Sequence, residues 1–125
     1  YIFEEEQPQI IRRVIKEASA RQVTQMMVAA VEKGKAAQIP SFDIAGKTGT
    51  AQIPDFKRGG YTDEFIHTFV GFGPATQPRF TILVKIDQPQ VGFLAGYTVV
   101  PAFRELADFI LGYYHIPPDN LVAKD

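Results

Sequence analysis

The amino-acid sequence predicts an α+β fold in which helices flank an antiparallel sheet. Residues 66–72 and 80–86 both show the period-two alternation of strands, and a short turn at 75–78 separates them. Strands joined by so short a connection pair antiparallel, because a parallel pair requires a crossover of a dozen residues or more. The predicted order is strand, helix, three strands, helix, and helices that do not alternate with strands exclude a wound parallel sheet.

The first two predicted elements are a strand at residues 10–15, bounded upstream by Pro8, and the helix that follows it. Ser19 and Gln22 have the spacing of a capping box, in which both side chains bond backbone N–H groups at the start of a helix. Gly34 is predicted to cap the C-terminus of this helix. Its apolar side chains recur at i, i+3, i+4, i+7 and i+8 and are predicted to face the core: Val23, Met26, Met27, Ala30 and Val31.

The second predicted strand covers residues 44–53, which lie between Pro40 and Pro54 and are rich in small and β-branched side chains. A polar loop with a Gly-Gly turn is predicted at residues 55–64, and a further loop at 88–96 follows the last strand.

The last predicted helix starts near Val100, with Pro101 in the first turn, where a missing N–H costs nothing. The pair Pro117-Pro118 ends it. Its predicted buried stripe consists of Phe103, Leu106, Ala107, Ile110 and Tyr114.

Composition excludes several classes of function. The 13 basic and 14 acidic residues give a net charge of −1, which provides no long-range attraction to nucleic acid. The absence of cysteine excludes thiolate zinc sites and cysteine nucleophiles. Glu4, Glu5 and Glu6 lack a histidine partner and make a poor metal site, so neither a metal nor a cofactor is predicted.

The segment with the clearest chemical content is Gly46-Lys47-Thr48-Gly49-Thr50. Glycines inside a strand weaken it and often mark a close approach of another backbone or a ligand. In an extended chain Lys47 and Gly49 point to one face and the two threonines to the other. A cation, hydroxyls and bare backbone N–H groups together suit a carboxylate or a developing oxyanion. The structural alternative is an edge strand whose lysine discourages aggregation.

The same residues also match the tail of a phosphate-binding P-loop, G-x-x-x-x-G-K-[ST]. The first glycine of that motif would fall at Ser41, and Gly49, Thr50 and Pro54 disfavour the helix that must follow it. The sequence therefore argues against nucleotide binding.

Gly46-Lys47-Thr48-Gly49-Thr50-Ala51-Gln52 resembles the third signature of the penicillin-binding proteins, especially the class B D,D-transpeptidases of peptidoglycan synthesis. Residues 65–74 resemble the next strand of that family, and residues 101–118 resemble its C-terminal helix and tail. The resemblance implies that residues 1–125 are the C-terminal portion of a partial penicillin-binding/serine β-lactamase-like transpeptidase fold, with three of its five strands.

The resemblance also implies roles for individual residues. Lys47 would set the electrostatics and proton traffic of the cleft, and the Thr50 N–H would form half of the oxyanion hole, so both are candidate catalytic residues. The hydroxyls of Thr48 and Thr50 would bind the terminal carboxylate of the substrate. Gly49 would leave room for the ligand, and Gln52 would lie at the outer end of the cleft.

The implied ligands are a peptidoglycan stem peptide ending in D-Ala-D-Ala and the β-lactams that mimic it, lying beside the Lys-Thr-Gly strand. The family's nucleophile is the serine of a Ser-x-x-Lys motif. Ser19 is followed at +3 by Gln22 and Ser41 by Ile44, so the motif is absent. The missing N-terminal part of the domain is then an obligatory partner, and this chain alone is not expected to form an acyl-enzyme.

The parent protein is expected to be anchored in the cytoplasmic membrane with this domain outside. No run of about 18 apolar residues is present, so any anchor is expected upstream of Tyr1. Two alternatives stay open: a non-enzymatic peptide-binding or scaffold module with an exposed edge strand, and a β-lactamase or β-lactam sensor. A triad of Ser41, His67 and an acid is disfavoured, because His67 lies on an alternating strand between apolar neighbours and is predicted to be structural. Asp63 and Glu64 are an adjacent acid pair in a predicted loop.

Overall fold

The computed structural model describes residue 7 and residues 9–90 and 94–120, and it confirms the α+β class. The described chain forms helix α1 (Glu17–Gly34), strands β1 (Ala45–Pro54), β2 (Tyr61–Gly73) and β3 (Phe80–Asp87), and helix α2 (Ala95–Tyr113). The strands form one antiparallel sheet in the order β1-β2-β3. Both β1 and β3 are edge strands of the described sheet. The strands predicted at residues 44–53, 66–72 and 80–86 are confirmed.

Helix α2 packs against one face of the sheet through an aromatic contact. The rings of Phe69 on β2 and Phe103 on α2 meet edge to face with centroids 4.6 Å apart, and both side chains are buried. A Cβ atom at Gly71 would lie only 2.6 Å from Cζ of Phe103, so glycine is required for the ring to lie against the strand. Aliphatic side chains complete the core around this contact: Val31, Ile39, Ile44, Ile82, Val99, Val100, Leu111 and Ile116.

The opposite face of the sheet is open. Val70 and Leu83, which are paired across β2 and β3, are 37% and 64% exposed. The core of the described chain therefore lies on one side of the sheet.

The predicted strand at residues 10–15 is wrong. This segment has no regular secondary structure, and the side chains of Ile10 and Ile11 are 91% and 88% exposed. A strand requires a neighbour for its backbone N–H and C=O groups, and none of the described strands pairs with this segment. Pro8, its predicted boundary, and Glu4–Glu6 lie outside the described residues.

The predicted capping box at the start of α1 is also wrong. The helix begins at Glu17, and its N-cap residue, Lys16, makes no side-chain capping bond. The first turn is instead supported by an ion pair between Arg21 and Glu17, 2.6 Å apart at i, i+4. The helix ends at Gly34 as predicted, but Lys35 takes the left-handed conformation, with φ of 59°, and donates to Val31 O.

Little of the predicted core stripe of α1 is buried. Val31 is buried and Met27 half-buried, whereas Val23 and Met26 are 52% and 69% exposed. The amphipathic pattern is real, but the described chain contains no element that covers its first three turns.

Helix α2 begins at Ala95 and not near Val100, so Pro101 lies inside the helix. Ala95 and Val99 are almost completely buried, and packing of this additional turn outweighs the preference of proline for a helix start. Leu106 and Tyr114, predicted to be buried, are 45% and 68% exposed. The buried positions of α2 are Ala95, Val99, Val100, Phe103, Ala107 and Leu111.

The turn between β1 and β2 is shorter than predicted, because β2 already begins at Tyr61. The predicted Gly-Gly turn is confirmed: Gly59 and Gly60 both have positive φ, 79° and 77°. The Asp55 carboxylate accepts hydrogen bonds from the backbone N–H groups of Lys57 and Arg58, at 2.9 and 3.0 Å, and fixes the tip of this hairpin.

Replacing Gly71 by alanine is expected to destabilise the protein by about 1–3 kcal/mol, because the added methyl group overlaps the Phe103 ring. The measurement is the free energy of unfolding in urea. Gly112→Ala is the matched control, since nothing lies within 4 Å of the Cβ position there. Gly112 lies in the last turn of α2 without a positive φ, so this change is expected to be neutral or stabilising by up to about 1 kcal/mol. Equal unfolding midpoints for the two variants would contradict the packing argument.

Candidate functional site

The five predicted site residues lie together on β1, at the edge of the sheet. This strand pairs with β2 on one side, and no described strand lies on its other side. An unpaired strand edge offers backbone donors and acceptors to an added extended chain. The position of the motif therefore allows a peptide or a peptide mimic to bind along it.

The register of the sheet divides the motif between the two faces. Lys47 pairs with Val70 and Gly49 with Thr68, so both share the open face. Thr48 pairs with Phe69 and Thr50 with His67, on the face that α2 covers further along the sheet. The predicted separation of Lys47 and Gly49 from the two threonines is confirmed.

The polar side chains of the motif are accessible to solvent. Lys47, Thr48, Thr50 and Gln52 are all exposed. Lys47 Nζ donates to the carbonyl oxygen of Thr48 at 2.9 Å, which draws the ammonium group back along its own strand. Gln52 Nε2 donates to the carbonyl oxygen of Thr62 at 3.3 Å, across the hairpin. The two hydroxyl groups thus share one face of a short stretch of strand, with the Lys47 ammonium group on the other face. Hydroxyl donors with a cation close by suit a carboxylate.

Gly49 is required by its neighbour within the sheet. A Cβ atom at this position would overlap the hydroxyl oxygen of Thr68 on β2. The family resemblance predicts that Gly49 leaves room for the ligand. The close contact with Thr68 is a second reason for glycine at this position. Sequence reasoning missed Thr68, because the contact depends on the register of β1 against β2.

A small cavity of about 180 Å³ lies beside the start of the motif. On the strand side it is lined by Gly46, Lys47 and Thr48. The opposite walls come from the end of α1, the connection that follows it and the first half of α2, and include Ala30, Val31, Ala37, Gly96 and Val100. The motif is therefore not enclosed by the fold, and of its exposed residues Lys47 and Thr48 border this cavity.

The alternative catalytic groups are not assembled. His67 is completely buried, and its Nδ1 lies 2.9 Å from the hydroxyl oxygen of Thr98 at the start of α2. Its Nε2 has no hydrogen-bond partner among the described residues, so no Ser41–His67 pair exists there. Of the adjacent acids Asp63 and Glu64, Glu64 accepts a hydrogen bond from Gln88 at 2.7 Å. His67 therefore joins β2 to α2 and takes no part in a triad.

Two further features are absent from the part of the chain that the structure describes. No group of three or more acidic or histidine side chains is arranged to hold a metal ion among residues 9–90 and 94–120. Within the same ranges, neither helix combines the length and the hydropathy needed to cross a bilayer.

Comparison with known proteins places these features in one family. The family model of the penicillin binding protein transpeptidase domain matches residues 1–108. The chain belongs to this family. Over 112 residues it is 38% identical to the probable peptidoglycan D,D-transpeptidase PenA of Neisseria meningitidis, a match that covers 86% of the chain and 19% of PenA. Over 119 residues it is 36% identical to the peptidoglycan D,D-transpeptidase FtsI of Escherichia coli, covering 90% of the chain and 20% of FtsI.

Solved structures agree with this membership in the penicillin-binding proteins. The transpeptidase domain of Burkholderia pseudomallei penicillin-binding protein 3 superposes with a TM-score of 0.76 at 29% identity, over 90% of this chain and 35% of that one. Mycobacterium tuberculosis penicillin-binding protein 3 in complex with ampicillin gives 0.79 at 30% identity, over 98% of this chain and 28% of that one. The chain thus spans about a fifth of its curated relatives and corresponds to part of their transpeptidase domain.

Gly49→Ala is expected to destabilise the protein, because the new methyl group meets the Thr68 hydroxyl. Adding Thr68→Ala should restore most of the lost free energy of unfolding, since it removes the opposing atom. Thermal unfolding of the two single variants and the double variant measures this coupling. Strictly additive effects would show that the two residues do not oppose each other.

Proposed function

We propose that the chain supplies the Lys-Thr-Gly strand and part of the oxyanion hole to the D,D-transpeptidase domain of a longer penicillin-binding protein. The observation that carries the proposal is the exposed edge strand with Lys47, Thr48 and Thr50 on it, in a chain that belongs to this family. On this proposal residues 1–125 are the C-terminal portion of that domain.

The substrate proposed for the strand is a stem peptide ending in D-Ala-D-Ala, and β-lactams would occupy the same place. The hydroxyls of Thr48 and Thr50 would bind its terminal carboxylate, and Gln52 would contact the ligand at the outer end of the cleft. Lys47 would supply the positive potential that favours this anion. Support comes from the relatives: penicillin-binding protein 3 of M. tuberculosis was solved in complex with ampicillin and with aztreonam.

The nucleophile is proposed to lie in the remainder of the domain. Its serine oxygen would attack the substrate carbonyl, forming the acyl–oxygen bond as the carbon–nitrogen bond breaks, and the nitrogen would leave with a proton. The Thr50 N–H would stabilise the oxyanion of the tetrahedral intermediate. Neither Ser19 nor Ser41 is followed by lysine at +3, so the isolated chain is expected to be inactive.

The remainder of the domain also has surfaces to cover. Val70 and Leu83 on the open sheet face, and Val23 and Met26 on α1, are apolar side chains that the described chain leaves exposed. Apolar surfaces of this kind mark contacts with other parts of an assembly.

We propose that the complete protein is anchored in the cytoplasmic membrane by a segment outside this chain, with the domain on the outer side.

Lys47→Ala in the complete protein is expected to slow acylation by a fluorescent penicillin roughly 100-fold, the magnitude typical of losing one group that stabilises developing charge. Lys57→Ala, the same change at the tip of the β1–β2 hairpin, is the matched control and should label at the wild-type rate. The rate is measured by stopping the reaction at intervals and quantifying labelled protein after electrophoresis.

Two outcomes would contradict the proposed function. Wild-type labelling kinetics in Lys47→Ala would remove the assigned role of this lysine. Complete protein that is never labelled, but that binds extended peptides, would favour the non-enzymatic peptide-binding module instead.

A further inference from the structure

The segment that follows α2 returns to the start of β1. Ile116 is buried in the core, and three residues later the carboxylate oxygen Oδ1 of Asp119 accepts a hydrogen bond from the Asp43 N–H at 2.8 Å. Asn120 makes two more contacts with the same stretch. Its backbone N–H donates to Ser41 O at 3.1 Å, and its Nδ2 donates to Asp43 Oδ1 at 2.7 Å.

The second carboxylate oxygen of Asp119 binds the turn between β2 and β3. Oδ2 accepts from the hydroxyl of Thr76 at 2.9 Å and from its backbone N–H at 3.3 Å. The same turn also reaches the start of β1 directly, because the Ala75 N–H donates to Asp43 O at 2.8 Å. One carboxylate therefore links two parts of the chain that lie 33 positions apart, residues 43 and 76.

The backbone at Ser41, which these bonds hold, has a conformation that needs support from its surroundings. Ser41 has a φ of 66°, the left-handed region that a residue with a side chain rarely occupies without support from its surroundings. Phe42 N–H closes the turn by donating to Ile39 O at 3.2 Å. Ile44, the next residue after Asp43, is 2% exposed and packs against the backbone of Gly73, where a Cβ would lie 2.6 Å from its Cδ1.

These contacts lie immediately before β1, the strand that carries the Lys-Thr-Gly motif. Asp43 precedes Lys47 by four positions, about 13 Å along an extended chain. Within the described sheet β1 is an edge strand that pairs with β2 alone, and its other edge faces the proposed ligand. A small rotation at residue 43 would move the whole motif relative to a nucleophile carried elsewhere.

We infer that Asp119 and Asn120 form a clasp that positions the Lys-Thr-Gly strand for catalysis, with Asp119 as the positioning residue. The inference rests on the proposed function, and it adds a role for residues that lie beyond the match to the family model, which ends at residue 108. Without the clasp, the strand would keep its pairing with β2. Its motif would no longer be held in a fixed position relative to the proposed catalytic serine.

The test uses four variants of the complete protein. Asp119→Ala removes the carboxylate half of the clasp and leaves the two bonds of Asn120 in place. Asp119→Asn keeps one carbonyl acceptor for the Asp43 N–H, and Thr76→Val removes only the hydroxyl donor. Asp108→Ala, on the exposed side of α2, is the matched control. For each variant, fluorescent-penicillin labelling gives an amplitude, which reports the folded fraction, and a rate constant, which reports the folded molecules alone.

Asp119→Ala is expected to lower the rate constant of acylation about 10-fold or more, because catalysis is sensitive to displacements on the order of 1 Å. Asp119→Asn and Thr76→Val should give intermediate rates, and Asp108→Ala the wild-type rate. A lower amplitude with an unchanged rate constant in Asp119→Ala would overturn the inference and leave the clasp a purely structural feature. If Asp119→Ala does not fold, wild-type rates in both Asp119→Asn and Thr76→Val overturn it.

Amide hydrogen exchange separates this inference from the proposed function. Faster exchange at residues 44–47 in Asp119→Ala, but not in Asp108→Ala, supports the clasp even if the wild-type protein is never labelled. Identical exchange in the two variants contradicts the clasp, whatever the result of labelling.

Discussion

The close approach of α2 to the sheet is the contact on which the rest of the structure depends. Phe103 can approach β2 this closely only because Gly71 has no side chain, and its ring then makes an edge-to-face contact with Phe69. The aliphatic side chains of the core surround this pair. Because the core forms on this side of the sheet, the other side and the edge of β1 stay open.

An open edge strand is a hazard for a protein unless it has a ligand or a charge that blocks aggregation. In β1 the same lysine can serve both needs, because Lys47 is exposed on an edge strand of the described sheet. The edge is stiffened from elsewhere: Gly49 lets β1 approach Thr68, and bonds from the C-terminal tail hold Asp43 just before the strand. An edge strand with one neighbour in the sheet thereby gains restraint without losing its free side.

The surfaces left uncovered are consistent with a chain that spans 35% of a solved transpeptidase domain. The segment at 10–15 is apolar but unpaired, and much of the apolar face of α1 is exposed. The sequence shows both patterns, and the predicted strand at 10–15 and the predicted burial along α1 failed for the same reason. A strand or an amphipathic helix buries its apolar side only when a partner is present, and the described chain does not contain one.

The sequence by itself determined the α+β class, the three strands and the residues of the motif, because alternation, turn glycines and a short run of chemistry-bearing residues are local properties. It did not determine where α2 begins: Pro101 marks a helix start by local preference, whereas burial of Ala95 and Val99 extends the helix upstream. Nor could local patterns reveal Thr68 behind Gly49 or the bonds from Asp119 to Asp43 and Thr76. Those contacts join residues far apart in the chain, so only the register of the sheet and the path of the tail decided them.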